Sequence, residues 1–343
     1  MKKIGILIIP LLLYSMTSLP WERMLFPSLY YQVEEKEISV FFPLGSYVKV
    51  EEKETKREDE LTYEMLLALQ AKDDERLSED LTEDEADEIV PTITFTDMPF
   101  EQLLSTYYTV DSTTMIGPEQ LNATEMLSKD MTLQTRGDGP KILIFHTHSQ
   151  ETFVDSVSGD ASTSIVGMGK YLAEVLNAKG IETIHHDGVY DLIDGKLDRS
   201  KAYELSEIGV KEILNQYPSI EVVIDLHRDG VKETTHLVTE VDGKQTAKIM
   251  YFNGLSRTKT NGDISYLYNP YIQDNLAFSF QMQLATEARY PGLARRIYLK
   301  GYRYSLHMMP KSLLIEAGAQ TNTVQEMKNA MDLLANILAD VLL

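Results

Sequence analysis

The chain has 343 residues, 43% of them hydrophobic, no cysteine and a formal net charge of −21. That length is enough for one large or two ordinary domains with a real core. Without cysteine there is no disulfide, thiolate metal site or cysteine nucleophile, so any metal must be held by nitrogen and oxygen, and the acidity argues against nucleic-acid binding, which requires a basic patch.

Lys2 and Lys3 precede an apolar run, residues 4–16, with Pro20 and Trp21 beyond it. The run is short for a spanning helix, yet no small-x-small cleavage site follows. Residues 1–21 read as an uncleaved signal anchor, with a cleaved signal peptide as the alternative. The missing cleavage signature favours the anchor. By the positive-inside rule the N-terminus stays in the cytoplasm, so either reading exports the rest. The expectation is a single-pass protein of the cell membrane with its bulk on the extracytoplasmic side.

Residues 22–90 read as an acidic flexible tether, with charge runs at 51–60 and 73–88. Little apolar surface is available there to offset ordering entropy. Leu61, Met65, Leu66 and Leu69 have helical spacing, which suits a transient helix. Such a tether would let an anchored domain reach away from the bilayer.

Residues 91–343 are the expected folded domain, with 91–140 as an approach segment and 141–343 as an α/β core. Ile93, Phe95, Phe100, Leu103 and Leu104 are too many large apolar residues for a linker. Residues 100–133 predict a helix, an extended piece and a second helix. Gly137-Asp-Gly-Pro140 is the turn before the core.

Ile142-Leu-Ile-Phe145 has the pattern of a buried parallel strand, and His146, His148 and Glu151 follow where it ends. Chemistry in open α/β sheets sits at that end of the strands. Imidazoles and a carboxylate are the usual ligands of a catalytic zinc, which keeps three of them and leaves a fourth position for water. The plain alternative is a polar loop with its hydrogen bonds satisfied.

Next, Ile165, Met168, Leu172, Val175 and Leu176 predict a helix stopped by Lys179-Gly180. Residues 181–184 are a second strand, after which His185 and His186 read as surface beside the Asp187-Gly188 turn. A helix over 201–216 should turn Leu205, Ile208 and Leu214 inward. Residues 221–226 are the third strand, and alternating strand and helix signal a layered, mainly parallel sheet. Its end, Asp225-Leu-His-Arg-Asp229, again sets a histidine after an apolar run. Two such strand ends can bring both imidazoles to one metal, with Asp225, Asp229 or Ser149 orienting the rings.

Residues 234–241 and 246–252 alternate around Asp242-Gly243, which predicts a hairpin insertion or edge ribbon. A helix over 274–288 follows, with Leu276, Phe280 and Leu284 on one side. Ser312-Leu-Leu-Ile-Glu316 is a buried run carrying one carboxylate, which is costly unless paired or used for proton transfer. Glu316 therefore reads either as a general base or as the partner of Arg303 or Lys311. Thr323 and Glu326 form a capping box opening the last helix.

Taken together, Phe145-His-Thr-His-Ser-Gln-Glu151, Ile224-Asp-Leu-His-Arg-Asp229, Tyr290-Pro-Gly-Leu-Ala294, Gly301-Tyr-Arg-Tyr304, Leu314-Ile-Glu-Ala-Gly318 and Asn322-Thr323 resemble the stage II sporulation protein P family. So do Tyr108-Thr-Val-Asp111 and Leu121-Asn122. The likeness runs from about Thr94 to the end, with its motifs in one order. It implies a zinc amidase-like α/β fold: a mainly parallel layered sheet flanked by helices, with a hairpin insertion and a membrane-anchored N-terminal tether. It also implies a zinc-dependent peptidoglycan hydrolase that cuts the N-acetylmuramoyl-L-alanine amide bond in septal wall thinning and engulfment during sporulation. Some members are credited with endopeptidase cleavage of cross-links. Implied partners are stage II sporulation proteins D and M.

By the same resemblance His227 is a zinc ligand and Glu316 the catalytic glutamate. His146 or His148 supplies the other imidazole, and Glu151 the carboxylate, with Asp160 its rival. Arg228 or Arg303 would hold a substrate carboxylate, to which a guanidinium fork is suited. Tyr304-Ser-Leu-His307 departs from the family's Asn-Gln after Arg-Tyr. The competing functions are a cross-link endopeptidase and a non-catalytic, membrane-anchored wall-binding scaffold.

Overall fold

The computed structural model describes residues 38–41, 47–50, 98–134 and 139–343. The chain divides into two units, Met1–Thr62 and Tyr63–Leu343. In the first, within the stretch expected as an acidic flexible tether, Ile38–Phe41 pairs antiparallel with Tyr47–Val50. Its β-branched and aromatic residues have the propensity for it. The anchor at 1–21 and the helical spacing at 61–69 lie outside the described residues. Among those that are described, no helix is long and apolar enough to cross a membrane.

The second unit is built on a seven-stranded sheet. Its strands are β1 (Tyr108–Val110), β2 (Ile142–Phe145), β3 (Thr183–His185), β4 (Val222–Asp229), β5 (Ile249–Gly254), β6 (Ile297–Lys300) and β7 (Lys311–Ala319). They lie in the order β1-β6-β5-β7-β4-β2-β3. Every neighbouring pair is parallel except β5 with β7, where the direction reverses. The helices are α1 (Phe100–Tyr107), α2 (Ala123–Ser128), α3 (Ile165–Ala178), α4 (Ala202–Gln216), α5 (Ile272–Arg289) and α6 (Val324–Leu342).

Strand alternation divides the packing. Ile142, Ile144, Val222, Ile224, Leu226, Leu313 and Ile315 join the large core with α3, α5 and α6. Leu143, Phe145 and Val223 point the other way, against Val210 of α4. Phe280 and Leu276 of α5 are fully buried, as the spacing predicts. The capping box of α6 forms in both directions, with Glu326 N donating to Thr323 Oγ1 at 3.2 Å and Thr323 N to Glu326 Oε2 at 3.0 Å.

Two expectations need correction. In α4, Leu205 and Ile208 are exposed, and Ala202, Tyr203, Ser206 and Val210 form the buried face. That face sets the small residues Ala202 and Ser206 beside Tyr203 and Val210, a pattern that a search for large aliphatic residues does not pick out. The predicted hairpin exists as Val238–Val241 with Lys244–Ala247, its Asp242 and Gly243 both at positive φ as a two-residue hairpin turn requires. Its second arm does not continue as a ribbon, because Ile249–Gly254 enters the sheet as buried β5. The approach segment forms a helix, an extended piece and a second helix: β1 is an edge strand paired with β6, and Leu133 N donates to Leu342 O at 2.9 Å.

β2 lies between β3 and β4, with α3 leading to one neighbour and α4 to the other. The C-terminal ends of β2 and β4 thus flank a topological switch point, where open α/β sheets form their ligand sites.

Candidate metal centre

After Phe145 the chain leaves the sheet in a turn-rich loop, and side-chain alternation no longer governs direction. The loop turns His148 and Glu151 toward β4. His227, inside β4, meets them. His148 Nδ1 lies 3.8 Å from Glu151 Oε1, and His227 Nδ1 lies 3.8 Å from Glu151 Oε2. The two imidazoles stand edge to face at 89° with centroids 5.0 Å apart. All three residues are buried, and one donor atom from each lies within 4.8 Å of the others.

The groups around these donors fix them. His227 Nε2 contacts Asp225 Oδ1 at 2.8 Å. Asp225 in turn accepts from Thr147 N at 2.9 Å and from Thr147 Oγ1 at 2.6 Å. A carboxylate behind the imidazole sets the ring's orientation, as in carboxylate–histidine–metal arrangements. Glu151 Oε2 accepts from Arg228 N at 2.9 Å. Arg199 Nη2 lies 3.6 Å from Glu151 Oε1, and Tyr203 of α4 packs edge-on to His148 at 5.5 Å.

Charge follows from these contacts. Burial, then His227 and Arg199, hold the His148 imidazole well below its usual pKa, so it is neutral. Burial alone would raise Glu151, but His227, Arg228 and His148 outweigh it and keep the carboxylate ionised. Burial would also lower His227, yet Asp225 and Glu151 together hold it well above its usual value. A neutral imidazole and an ionised carboxylate are the metal-binding forms, and metal uptake would displace the His227 proton.

The donor set suits a divalent ion such as zinc. Two atoms each about 2.0–2.2 Å from one zinc lie at most about 4 Å apart, and the two 3.8 Å separations fall within that limit. Glu316 stands beside the group. It is paired in parallel register with His227 on β4 and opposite Met250 on β5, so its side chain shares the His227 face. Just beyond it Gly318 takes φ +57° at a bulge, where a Cβ would meet Met327 and Asn322.

Stage II sporulation protein P (SpoIIP) is the family whose description matches residues 26–339. The chain belongs to that family. The family's protein from Bacillus subtilis (strain 168) is 22% identical over 238 residues, which are 65% of this chain and 56% of that protein. The match thus spans little more than half the length of that relative. Among solved structures, the CwlD amidase of Clostridioides difficile, in complex with the GerS lipoprotein, aligns with 59% of this chain and 98% of its own at 14% identity and TM-score 0.37. The N-acetylmuramyl-L-alanine amidase Ami1 of Mycobacterium smegmatis aligns with 62% of this chain and 98% of its own at 14% identity and TM-score 0.38.

In this SpoIIP family member the geometry separates residues that the sequence left together. His148, Glu151 and His227 converge, but His146 does not join them. Its Nδ1 donates to Leu226 O at 2.7 Å, and its Nε2 lies 3.0 Å from His185 Nε2. Burial carries His146 down to about 3 and His185 to about 4, so both rings are neutral. His185 is therefore the half-buried partner of the buried His146, not the surface residue expected. Asp160 stands apart, exposed and capping its own turn by accepting from Ser162 N at 3.0 Å.

Of the expected orienting groups, Asp225 acts on His227. Asp229 instead accepts from Arg295 at 2.6 Å, and Ser149 donates to Asp191 at 2.7 Å. Arg228 turns its side chain away, donating from Nε to Thr152 O at 3.2 Å. Arg303 is held by Glu207 at 3.0 Å. Sequence reasoning missed Arg199, Thr147 and Tyr203. Only Thr147, inside the His-Thr-His motif, carried a signal.

Proposed function

We propose that the chain is a zinc-dependent peptidoglycan hydrolase that cleaves the N-acetylmuramoyl-L-alanine amide bond during sporulation. The observation that carries this reading is the buried His148–Glu151–His227 group with Glu316 beside it on one face of the sheet, in a member of this family.

When bound there, zinc lowers the pKa of a water to about 7 and polarises the amide carbonyl. Glu316 accepts the proton that the attacking water gives up and returns it to the alanine nitrogen. The water oxygen forms the new C–O bond as the C–N bond breaks, leaving a lactyl carboxylate on muramic acid and a free alanine amine. Asp225, fixed by Thr147, keeps the His227 ring aimed at the centre throughout. Tyr203 covers His148 and helps to exclude bulk water.

We place this activity outside the cell membrane, on a single-pass anchor at residues 1–21, in septal wall thinning and engulfment. Stage II sporulation proteins D and M are the proposed partners. The support for this is the charge pattern of the N-terminal sequence and family membership.

The test is digestion of purified peptidoglycan by the full-length zinc-loaded chain, with the new ends identified by mass spectrometry. Muramic carboxylates matched by alanine amino groups are the expected products. New amines at cross-bridge residues would make the enzyme an endopeptidase. Intact wall would leave a wall-binding scaffold.

A further inference from the structure

Arg199 reaches the metal centre through an assembly with no motif in the sequence. A small hairpin, Leu192–Ile193 with Lys196–Leu197, turns at Asp194 and Gly195, both at positive φ. It returns the chain so that Asp198 N donates to Asp191 O at 2.9 Å. The buried Asp191 carboxylate accepts from Ser149 Oγ at 2.7 Å and from Gln150 N at 3.1 Å, which ties this hairpin to the His148 loop. Asp198 Oδ1 accepts from Ser200 N at 3.0 Å, fixing the entry to α4. Arg199 is thereby held, with its side chain 14% exposed, beside Glu151.

Its contact with Glu151 does not use up the guanidinium. At 3.6 Å, Nη2 is beyond hydrogen-bond distance from Oε1, so the attraction is electrostatic. Nε is buried and has no hydrogen-bond partner among the described residues. Nε and Nη2 form one edge of the guanidinium, a two-donor fork matched to the two oxygens of a carboxylate. The Glu151 oxygen next to that fork, Oε1, is also the one that faces His148 Nδ1 at 3.8 Å. The fork therefore lies beside the three-donor centre, against the Glu151 oxygen that faces His148.

We infer that Arg199 is a further catalytic residue, one that binds the oxygen of the scissile carbonyl as it gains negative charge and then holds the lactyl carboxylate released by cleavage. This rests on the amidase reading above, because only cleavage at muramic acid makes the carboxylate released at that position a lactyl one. Donors aimed at developing charge act on the rate, whereas donors that merely bind substrate act on KM. Arg228 and Arg303 donate to groups of the chain itself, and Arg199 is the guanidinium that faces the side chain of Glu151.

The experiment uses the full-length zinc-loaded chain and two probes: N-acetylmuramic acid, which carries the lactyl carboxylate, and N-acetylglucosamine, which lacks it. Binding is followed by isothermal titration for wild type, Arg199→Ala and Arg199→Lys, with zinc content and melting temperature measured on each. The expected result is that Arg199→Ala weakens N-acetylmuramic acid at least tenfold at unchanged zinc content and leaves N-acetylglucosamine unaffected. Arg199→Lys should fall between, keeping the charge and losing the fork. On wall, kcat should drop with little change in KM.

Wild-type affinity for N-acetylmuramic acid in both variants would overturn the assignment while leaving the amidase reading in place. Loss of zinc in step with loss of binding in both variants would also overturn it, and would make Arg199 a positioning residue for Glu151. A wild-type chain that holds zinc, ignores N-acetylmuramic acid and releases only cross-bridge amines would overturn both readings.

Discussion

Ile224 and Asp225 are neighbours in β4, yet they belong to opposite faces of the sheet with little in common. On the Ile224 side, α3, α5 and α6 close over a continuous apolar core that includes Leu172, Phe280 and Leu334. On the Asp225 side, the apolar clusters are small, and Asp225, His227 and Glu316 occupy the positions between them. Burial on the first face offsets the cost of burying charge on the second. A two-residue period thus lets one strand contribute to stability and to chemistry.

Substitutions on each face put that division at risk. The largest effect is expected for His227→Ala, which should reduce zinc from about one per chain to near zero and abolish wall hydrolysis while unfolding stays cooperative. Metal analysis beside a thermal melt checks it; retained zinc with full hydrolysis would show that the group is structural. Glu316→Gln should keep the zinc and lower the hydrolysis rate by about 10²- to 10⁴-fold, the usual contribution of a general base. On the other face, Ile224→Ala should cost about 2–5 kcal/mol of stability in a denaturant titration. Its zinc content should not change.

Smaller effects test finer points. His146→Ala should retain zinc, since that ring serves Leu226 O and His185. It should lose about 1–3 kcal/mol of stability through the carbonyl left unsatisfied. Zinc lost with His146 would return it to the ligand set. The smallest effect concerns Glu207, which Arg303, His307 and Lys211 surround. Burial would raise its carboxyl, but these neighbours outweigh burial and hold it at about 2. A lowered folded pKa gives stability that is complete above the unfolded value, near 4.3, and lost as pH falls toward 2. The melting-temperature gap between wild type and Glu207→Gln should be full at pH 6 and close by about pH 2. About 1–2 kcal/mol is at stake once solvent screening at the exposed Lys211 is counted.

What the sequence revealed follows the same division. β2, β4 and β7 were legible because strands buried on both faces are unbroken apolar runs, and the polar residues that interrupt them mark the centre. His146 and His148 could not be told apart from spacing. Two residues apart on a strand they would share a face, but the strand ends at Phe145 and the loop sends them to different partners. The sequence predicts β5 as a hairpin arm because alternation at 246–252 imitates a ribbon. Its neighbours, β6 and β7, come from much later in the chain. Arg199 was invisible for a related reason, since Asp191 and a two-residue turn deliver it.

The edge strand β1 has a consequence for how the protein is made. Tyr108 waits for Ile297, and Leu133 waits for Leu342, so the earliest segment of the domain is completed by the latest. Such pairings are slow to form, because the long intervening loop must close first. During synthesis the sheet keeps unpaired strands until β6 and β7 exist and the Leu133 contact waits for α6, so a nascent chain that stalls early presents bare strand edges to its neighbours. Clipping α6 from the finished protein would undo the same closure, loosening the first segment of the domain together with the last.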